Sequence, residues 1–415
     1  MRYSQQRRHR WTRVCAGLAA AAALTVSTTA GTASAVTVPE PKAAATDSPS
    51  PADPEFAELT PAVRAELDAA IQRVLREADV PGVIVSVSAP GKGNYVRSFG
   101  FADTSNDTPM DPGLYMRIGS ETKTFTVTAL LELVDEGKAA LDDPIGEYVD
   151  GVPNGDSITL RQLAGMRSGL FNYTQDSAFF RAFTSDPDRP FTPRELLDFS
   201  FKHPVVFKPG AEFDYSNTNL ILLGMVVEQI SGEPLDEYIQ DNVVEPAGLP
   251  HTLFPTGSEF PSPHAQGYTN QTASGRTENS TDWNPSWAWA AGAMISDLRD
   301  MRTWARVVAT GALLSPETQA ERLKTGPSDI PGTGYGLGIF NVQGWIGHNG
   351  SLPGYESLTV YLPEARATMV VLLNTDNLHD GMEPSTIFGR AITRIVSPDH
   401  VFDLPVQNPP PSPSS

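Results

Sequence analysis

Apolar residues along the chain recur first at helical and then at strand spacing. From Thr60 to Ala78 they return every three or four positions, which predicts an amphipathic helix. Two β-rich runs, at 83–87 and 95–101, are joined around Gly91-Lys92-Gly93 and predict a hairpin. The strongly apolar stretch 120–136 predicts a buried helix.

The middle of the chain differs from its two ends. Residues from about 140 to 290 predict mostly helices and loops, and strand patterns return only near the C-terminus. The later elements are predicted as helices at Arg194–Ser200, Asn219–Ile230 and Ser385–Ile395, and as strands at Gly344–His348, Tyr355–Leu362 and Thr368–Leu373. This order predicts an α+β fold, in which an antiparallel sheet flanked by terminal helices carries an inserted α-rich lobe.

The same pattern divides the chain into segments. We predict a signal peptide at 1–35, a flexible Pro-, Ala- and Ser-rich leader at 36–54, one folded unit at 55–397 and a disordered tail at 398–415. Within the unit, the sheet lobe is expected at about 55–118 and 290–397, and the helical lobe at about 119–289.

The first 35 residues have the composition of an export signal. Five arginines up to Arg13 precede the apolar stretch Val14–Val26, and Ala33-Ser34-Ala35 offers the small residues that a signal peptidase requires. An apolar stretch of about 13 residues is too short to cross a bilayer core of about 30 Å. We therefore expect a secreted protein without a membrane span, and leave the twin-arginine and general export routes open.

Charge and cysteine content exclude several classes of function. The chain has 30 Lys+Arg, 49 Asp+Glu and one cysteine, for a net charge of −19. Nucleic-acid binding is excluded because Lys and Arg supply the affinity for phosphate. Cleavage after Ala35 removes five arginines and the only cysteine, which leaves 25 basic against 49 acidic residues, or −24. The mature chain then has neither a cysteine nucleophile nor a cysteine-ligated zinc site.

Ser120-Glu121-Thr122-Lys123 is the only Ser-x-x-Lys in the chain and stands at the start of the predicted apolar helix. A separation of three residues puts the serine and lysine side chains on one face, about a turn apart. A buried lysine amine could accept the serine proton and activate it as a nucleophile. The alternative is a helix-capping serine with a solvated lysine.

Tyr215-Ser216-Asn217 precedes another apolar run. A tyrosine can relay protons and an asparagine can hold a substrate amide, both of which suit acyl transfer. The alternative is that Asn217 or Thr218 caps the following helix.

His348-Asn349-Gly350-Ser351 ends a predicted strand in a glycine-rich stretch. The missing side chain of Gly350 would let a substrate backbone approach the strand, and an adjacent N–H could complete an oxyanion hole. The alternative is a histidine at a turn.

In this order, the motifs resemble those of the penicillin-recognising serine hydrolases, the β-lactamase/DD-peptidase superfamily. The resemblance is nearest to the secreted D-alanyl-D-alanine carboxypeptidases of actinomycetes, which are class C β-lactamase-like, and runs from about Glu66 to Ile395. Further matching landmarks are 131–138, Arg161-Gln162-Leu163, Ser168-Gly169-Leu170, Lys208-Pro209-Gly210, Ser286-Trp287-Ala288, Ala291-Gly292 and Gly334-Tyr335-Gly336-Leu337-Gly338.

The resemblance implies a role for each matching residue. Ser120 would be acylated, and Lys123 and Tyr215 would jointly move its proton. The substrate and oxyanion positions would be Asn217, Trp287, His348, Gly350 and Ser351. Asn217 would bind the substrate amide, His348 and Gly350 would line the inner strand, and the Ser351 N–H would pair with that of Ser120. Trp287 would be a wall of the cleft, or an ordinary core aromatic.

One feature departs from the nearest relatives. They carry an arginine for the substrate's terminal carboxylate after Gly-Tyr-Gly-Leu-Gly, whereas here Gly338 is followed by Ile339-Phe340-Asn341-Val342. Loss of that partner should weaken carboxylate binding by up to about 3 kcal/mol. The first choice is still a D-alanyl-D-alanine carboxypeptidase that also binds penicillin. The alternatives are a β-lactamase-like esterase, a D-aminopeptidase or amidase, or a β-lactamase.

The expected partners follow from the same resemblance. They are a peptidoglycan stem peptide or a β-lactam, with no cofactor, no metal and a monomeric state. The histidines include no His-x-x-x-His pair, which argues against a zinc site. A non-enzymatic alternative is a secreted binding protein that has lost catalysis and holds cell-wall peptide in the cleft. The complete set of motif residues disfavours this hypothesis.

Overall fold

The computed structural model describes residues 56–327 and 332–404. The predicted signal peptide and leader lie outside the described residues, as does the tail from residue 405 onward.

Helices are distributed along the whole described chain. In chain order they are α1 (Pro61–Glu77), α2 (Thr122–Asp135), α3 (Leu160–Ala164), α4 (Ser177–Ser185), α5 (Pro193–Phe201), α6 (Asn217–Ser231), α7 (Leu235–Ile239), α8 (Glu245–Ala247), α9 (Leu298–Thr310), α10 (Pro316–Arg322) and α11 (Pro384–Val396). In this part of the chain, no helix combines the length and the hydropathy that a membrane crossing needs.

Strands cluster toward the two ends. They are β1 (Gly82–Ala89), β2 (Gly93–Asp103), β3 (Thr108–Pro109), β4 (Met116–Arg117), β5 (Tyr268–Thr269), β6 (Glu278–Asn279), β7 (Ile295–Ser296), β8 (Gly326–Pro327), β9 (Thr333–Tyr335), β10 (Phe340–Val342), β11 (Trp345–Leu352), β12 (Tyr355–Leu362) and β13 (Ala367–Leu373).

One antiparallel sheet joins the two ends of the chain. Its order is β3-β2-β1-β13-β12-β11-β10-β9-β8, and β1 pairs with β13 so that Val83 lies opposite Leu373. The hairpin predicted around Gly91-Lys92-Gly93 is β1–β2. The predicted α+β fold is confirmed, with an antiparallel sheet, terminal helices and a helical segment between them.

The centre of the sheet is covered on both faces. Every residue of β12 and β13 is buried, and both strands contact α9 and α11. A strand that is buried throughout needs a packed layer on each face. The terminal helix α1 packs on α11, whereas α2 packs against α6 and β11.

The first helix, α1, forms where the sequence pattern predicts it. Thr60 caps α1 by accepting a hydrogen bond from the Val63 N–H at 3.3 Å, and proline occupies its first turn. Leu67, Ile71 and Val74 are buried, as their spacing predicts. The helix predicted over 60–78 is therefore confirmed as α1.

Two of the differences from the sequence predictions concern α9 and the C-terminal segment. The helix α9 was not predicted, although Trp304 on it is buried. The prediction of disorder from residue 398 is wrong for residues 398–404, because Phe402 is buried and its N–H donates to Thr393 Oγ1 at 2.9 Å. The Trp345 indole also donates to the His400 carbonyl at 2.8 Å.

Trp304 connects α9 to the helix that follows the predicted nucleophile. Its ring stacks on Phe125 with centroids 3.9 Å apart, and its Nε1–H donates to Thr124 Oγ1 at 2.7 Å. Both partners lie on α2, so this contact holds α2 against the layer that covers the sheet.

We predict that Trp304→Ala lowers the free energy of unfolding by about 3–5 kcal/mol, because it removes a large buried ring. Trp304→Phe keeps a ring on Phe125 but loses the bond to Thr124 and part of the buried ring, so its loss should be smaller, about 1–3 kcal/mol. Urea unfolding measures both values. Equal midpoints for Trp304→Ala and the unsubstituted protein would show that the stack does not hold α2.

Candidate active site

Ser120 lies in a turn that leads directly into α2. The turn Gly119–Glu121 is a 3-10 helix, and α2 starts at Thr122 rather than at Ser120. Lys123 Nζ lies 2.8 Å from Ser120 Oγ and 2.7 Å from the Ala291 carbonyl oxygen. The Ser120 hydroxyl caps no helix, so the structure brings the predicted serine and lysine together as a reactive pair.

Lys123 is fully buried, which excludes the solvated alternative. Among the described residues no carboxylate lies within ion-pair distance of it, and burial holds the pKa of its amine well below the usual range. A neutral amine can donate to the Ala291 carbonyl and still accept the Ser120 proton. The lowered pKa favours the neutral amine, which is the form that a general base requires.

Tyr215 lies on the other side of the nucleophile. Its hydroxyl interacts with Ser120, and its ring centroid is 4.9 Å from Lys123 Nζ. Burial raises the pKa of the Tyr215 phenol far above its usual value, so the hydroxyl keeps its proton at neutral pH. The two groups that the sequence assigned jointly are thus distinguished by charge state, with Lys123 suited to accept a proton and Tyr215 suited to donate one.

His348 lies beneath the site instead of lining it. It is buried, and burial, together with the nearby Lys123, lowers the pKa of its imidazole to about 3. Its Nδ1 faces the Asn349 carbonyl and therefore carries the proton, which leaves Nε2 to accept from the Tyr335 hydroxyl at 3.3 Å. The sequence prediction grouped His348 with the substrate and oxyanion positions. In the structure it lies on β11, but its ring does not line the cavity and is packed among aromatic side chains.

Gly350 also has a different role from the one predicted. A Cβ at this position would lie 2.0 Å from the Ile118 carbonyl oxygen, and one at Gly119 would lie 2.7 Å from the Ser351 backbone nitrogen. The two glycines therefore leave room for the close approach of β11 to the turn that carries Ser120, and not for a substrate. This contact sets the Ser351 backbone against the turn that carries Ser120, as an oxyanion hole made of their two N–H groups requires.

A cavity of about 240 Å³ opens beside Ser120. Its aromatic side consists of Phe179, Phe180, Phe183, Tyr215, Trp287 and Phe340, and its polar side includes Asn172, Thr174, Gln175, Asn217, Gln271, Asn349 and Ser351. Glu383 is the one charged side chain among the described residues that line it. Of the predicted site residues, Ser120, Tyr215, Asn217, Trp287 and Ser351 line this cavity, whereas Lys123, His348 and Gly350 lie behind it.

Asn217 is fixed from the side opposite the sheet. Its N–H donates to Asn172 Oδ1 at 3.2 Å, and its side-chain amide donates to Thr174 Oγ1 at 3.4 Å. Asn217 begins α6 and its side chain does not cap that helix. Its side chain lines the cavity, where the amide has one further N–H and its carbonyl oxygen to offer to a substrate.

Several wall residues were missed by the sequence reasoning. Phe179 and Phe183 lie one turn apart on α4 and both contact Trp287, with ring centroids 6.0 and 5.1 Å from it. Their spacing is the one signal in the sequence that could have revealed this wall. The sequence around Glu383 gives no such signal, because Glu383 is distant in sequence from Ser120 and only the fold brings it to the cavity.

One group in the described chain has the composition of a metal site, namely His251, Asp297 and Asp300. Its atoms already have partners: Asp297 Oδ1 accepts from the Asp300 N–H at 2.9 Å, and Asp300 Oδ2 accepts from the His251 N–H at 2.6 Å. Asp297 is the N-cap of α9, and none of the three lines the cavity. We assign this group a structural role.

Comparison with known proteins identifies relatives of this arrangement. A family model described as Beta-lactamase matches residues 67–390. The putative penicillin-binding protein PbpX of Bacillus subtilis (strain 168) is 26% identical over 282 residues, which cover 68% of this chain and 67% of PbpX.

Two solved structures share the fold. A D-stereospecific amidohydrolase from Streptomyces sp. is 32% identical with a TM-score of 0.68, over 76% of this chain and 94% of that one. The D-amino acid amidase from Ochrobactrum anthropi SV3, solved with L-phenylalanine amide, is 29% identical with a TM-score of 0.70, over 80% of this chain and 96% of that one.

We predict that kcat/KM for an uncharged phenyl ester rises with pH and reaches its plateau well below the ordinary lysine pKa of about 10.4, because only neutral Lys123 accepts the Ser120 proton. Lys123→Met should lower the plateau by about 10²–10⁴-fold. Lys138→Met, at an exposed lysine, is the matched control and should leave the profile unchanged. A profile that still rises near pH 10 would contradict the depressed pKa.

The contact between strand and turn gives a second prediction. Gly350→Ala should lower ester kcat/KM by about tenfold to a hundredfold, since it pushes the Ser120 turn away from Ser351. Overpacking should also cost about 1–3 kcal/mol of stability. Gly113→Ala, where the nearest atom to a new Cβ is an Asp111 oxygen at 3.2 Å, is the control. Unchanged kinetics in Gly350→Ala would contradict the role of Gly350 in positioning the Ser120 turn.

Proposed function

Because this chain belongs to the β-lactamase family, the penicillin-recognising serine hydrolases, we propose that it hydrolyses amide bonds at D-amino-acid centres through an acyl-enzyme on Ser120. The observation that carries this proposal is the charge of the cavity. Among its described lining residues there is no lysine, arginine or histidine, and Glu383 is the one ionisable carboxyl. A substrate with a free carboxylate would find no cationic partner there and would be repelled by Glu383. An amide or an amino-terminal substrate meets no such penalty.

In the proposed first step, Ser120 Oγ attacks the carbonyl carbon while its proton passes to Lys123 Nζ, 2.8 Å away. The C–N bond breaks as Tyr215 gives its proton to the leaving nitrogen, and the proton held on Lys123 restores the phenol. The products of this half-reaction are an ester on Ser120 and a free amine or ammonia.

In the second step, water attacks the ester carbonyl and passes its proton to the same pair. The C–O bond to Ser120 breaks, Ser120 regains its proton and the acid leaves. One water is consumed for each amide cleaved. In both steps, the N–H groups of Ser120 and Ser351 are the proposed donors to the oxyanion.

The aromatic wall supports an apolar substituent on the acyl side of the substrate. Phe179, Phe183 and Trp287 offer ring faces to the cavity, and each buried methylene adds about 0.8 kcal/mol of binding. The amidase relative solved with phenylalanine amide agrees with such a substituent.

A second candidate is the D-alanyl-D-alanine carboxypeptidase that the sequence favoured first. Ser351 lines the cavity and could hydrogen-bond a carboxylate, and one relative is a putative penicillin-binding protein.

We also propose that the protein is exported, because its first 35 residues have the pattern of an export signal. The monomeric state stays a prediction.

A substrate panel on the mature chain from Val36 tests the proposed function. We expect D-phenylalanine amide to release ammonia faster than the L-enantiomer, and faster than an N-acylated D-alanyl-D-alanine peptide releases D-alanine. Ser120→Ala should abolish all three activities, and stopped reactions should show the acyl group on Ser120 by peptide mass spectrometry. Faster release of D-alanine would favour the carboxypeptidase, whereas activity in Ser120→Ala would contradict the acyl-enzyme.

A further inference from the structure

Glu383 occupies an unusual position at the start of α11. It is the N-cap residue, yet its side chain makes no capping bond to that helix. Its Oε2 instead accepts from the Asn349 amide at 2.6 Å, and the side chain lines the same cavity as Ser120. The carboxylate is thus turned toward the catalytic cavity and fixed there by a residue of β11.

The second oxygen of this carboxylate is available to a ligand. Glu383 forms no ion pair with any described residue, and Asn349 is the one described side chain that donates to it. Glu383 and Ser120 line one cavity, and the charge of Glu383 raises the pKa of the Tyr215 phenol. A group bound to Glu383 would therefore lie close to the reacting bond.

Two further buried carboxyls surround this position. Glu356, 1% exposed, lies opposite Ser351 in the register of β11 and β12 and interacts electrostatically with Glu383. Its Oε2 accepts from the Ser385 N–H at 2.8 Å, whereas its Oε1 has no partner in the described chain. Asp376 is also buried, and accepts from the Gly354 N–H at 2.8 Å.

In the described structure, no basic side chain balances the charge of Glu356, Asp376 and Glu383. None of the three carboxyls forms an ion pair with a basic side chain there. Burial and the charge of Asp376 raise the pKa of Glu383 to about 7, although the Asn349 bond opposes the rise. A bound cation would favour the ionised form and supply the missing charge.

We propose that Glu383 binds an ammonium group of the substrate beside Ser120. This inference rests on the proposed function and deepens it, since it assigns the cavity to substrates that carry a positive charge. The ammonium can be the α-amino group of an amino-terminal D-residue or the terminal amine of a basic side chain. Asn349 acts as a positioning residue that holds the carboxylate.

A purely structural role is the competing explanation. In that case Glu383 would only tie β11 to α11 through Asn349. Glu383→Gln separates the two, because glutamine keeps an oxygen that accepts from Asn349 but lacks the charge. The effect of the substitution on substrates with and without an ammonium group then reports the charge.

Methyl esters make the test independent of amide cleavage. We would compare D-alanine methyl ester, N-acetyl-D-alanine methyl ester and Nα-acetyl-D-lysine methyl ester at pH 7.5, below an α-amino pKa of about 7.7–8.0. In Glu383→Gln, kcat/KM for a cationic ester should fall about tenfold to a hundredfold further than that for the neutral ester, with the difference in KM. A fall for the alanine ester identifies an α-ammonium site, and a fall for the lysine ester identifies a side-chain site.

The control is Asp380→Asn, which removes an exposed negative charge three residues away and should change none of the three values. Equal losses on the neutral and cationic esters, or no loss on either, would overturn the ammonium site. The unsubstituted enzyme gives a check that needs no variant: it must prefer at least one cationic ester over the neutral one. Failure to cleave amides while this preference persists would remove the proposed function but leave the subsite.

Discussion

The site depends on burying the Lys123 amine without a carboxylate to balance its charge. Transferring an ammonium ion into such surroundings is costly, so the neutral form is favoured. Two neighbours follow the same rule, because burial raises the pKa of Glu121 to about 8 and lowers that of His348 to about 3. Glu121 and His348 are therefore mainly uncharged near neutral pH, which leaves Glu383 as the charged side chain of the described cavity. The Ser120 proton can move to Lys123 without first displacing a counter-ion.

This constraint explains why so much of the fold converges on α2. The helix must be apolar enough to hide Lys123, and the Ala291 carbonyl must lie where the amine can donate to it. Trp304 holds the helix from one side, while close backbone contact at Gly119 and Gly350 holds the turn from the other. Substrate selection is left to the cavity wall, where aromatic rings and one carboxylate replace the expected arginine.

Much of this could be predicted from the sequence wherever the signal is local. The helix from Thr60 and the β1–β2 hairpin follow from periodicity. The approach of Lys123 to Ser120 follows from their separation of three residues at the start of a helix. Contacts between distant segments could not be predicted: Glu383 meets Asn349 across 34 residues, and Gly350 is small because of Ile118. His348 was grouped with the substrate and oxyanion positions for the same reason, since a motif does not tell which side of a strand faces the cavity.

The most direct test of the central claim is the pKa of Lys123 itself. Carbon-13 NMR of lysine labelled at Cε, with the Lys123 signal assigned by its loss in Lys123→Met, would follow the amine as pH rises. The account predicts that Lys123 titrates well below the value of about 10.4 shown by exposed lysines. A Lys123 signal that titrates together with those of the exposed lysines would contradict it, because the amine would then be protonated and unable to accept the Ser120 proton.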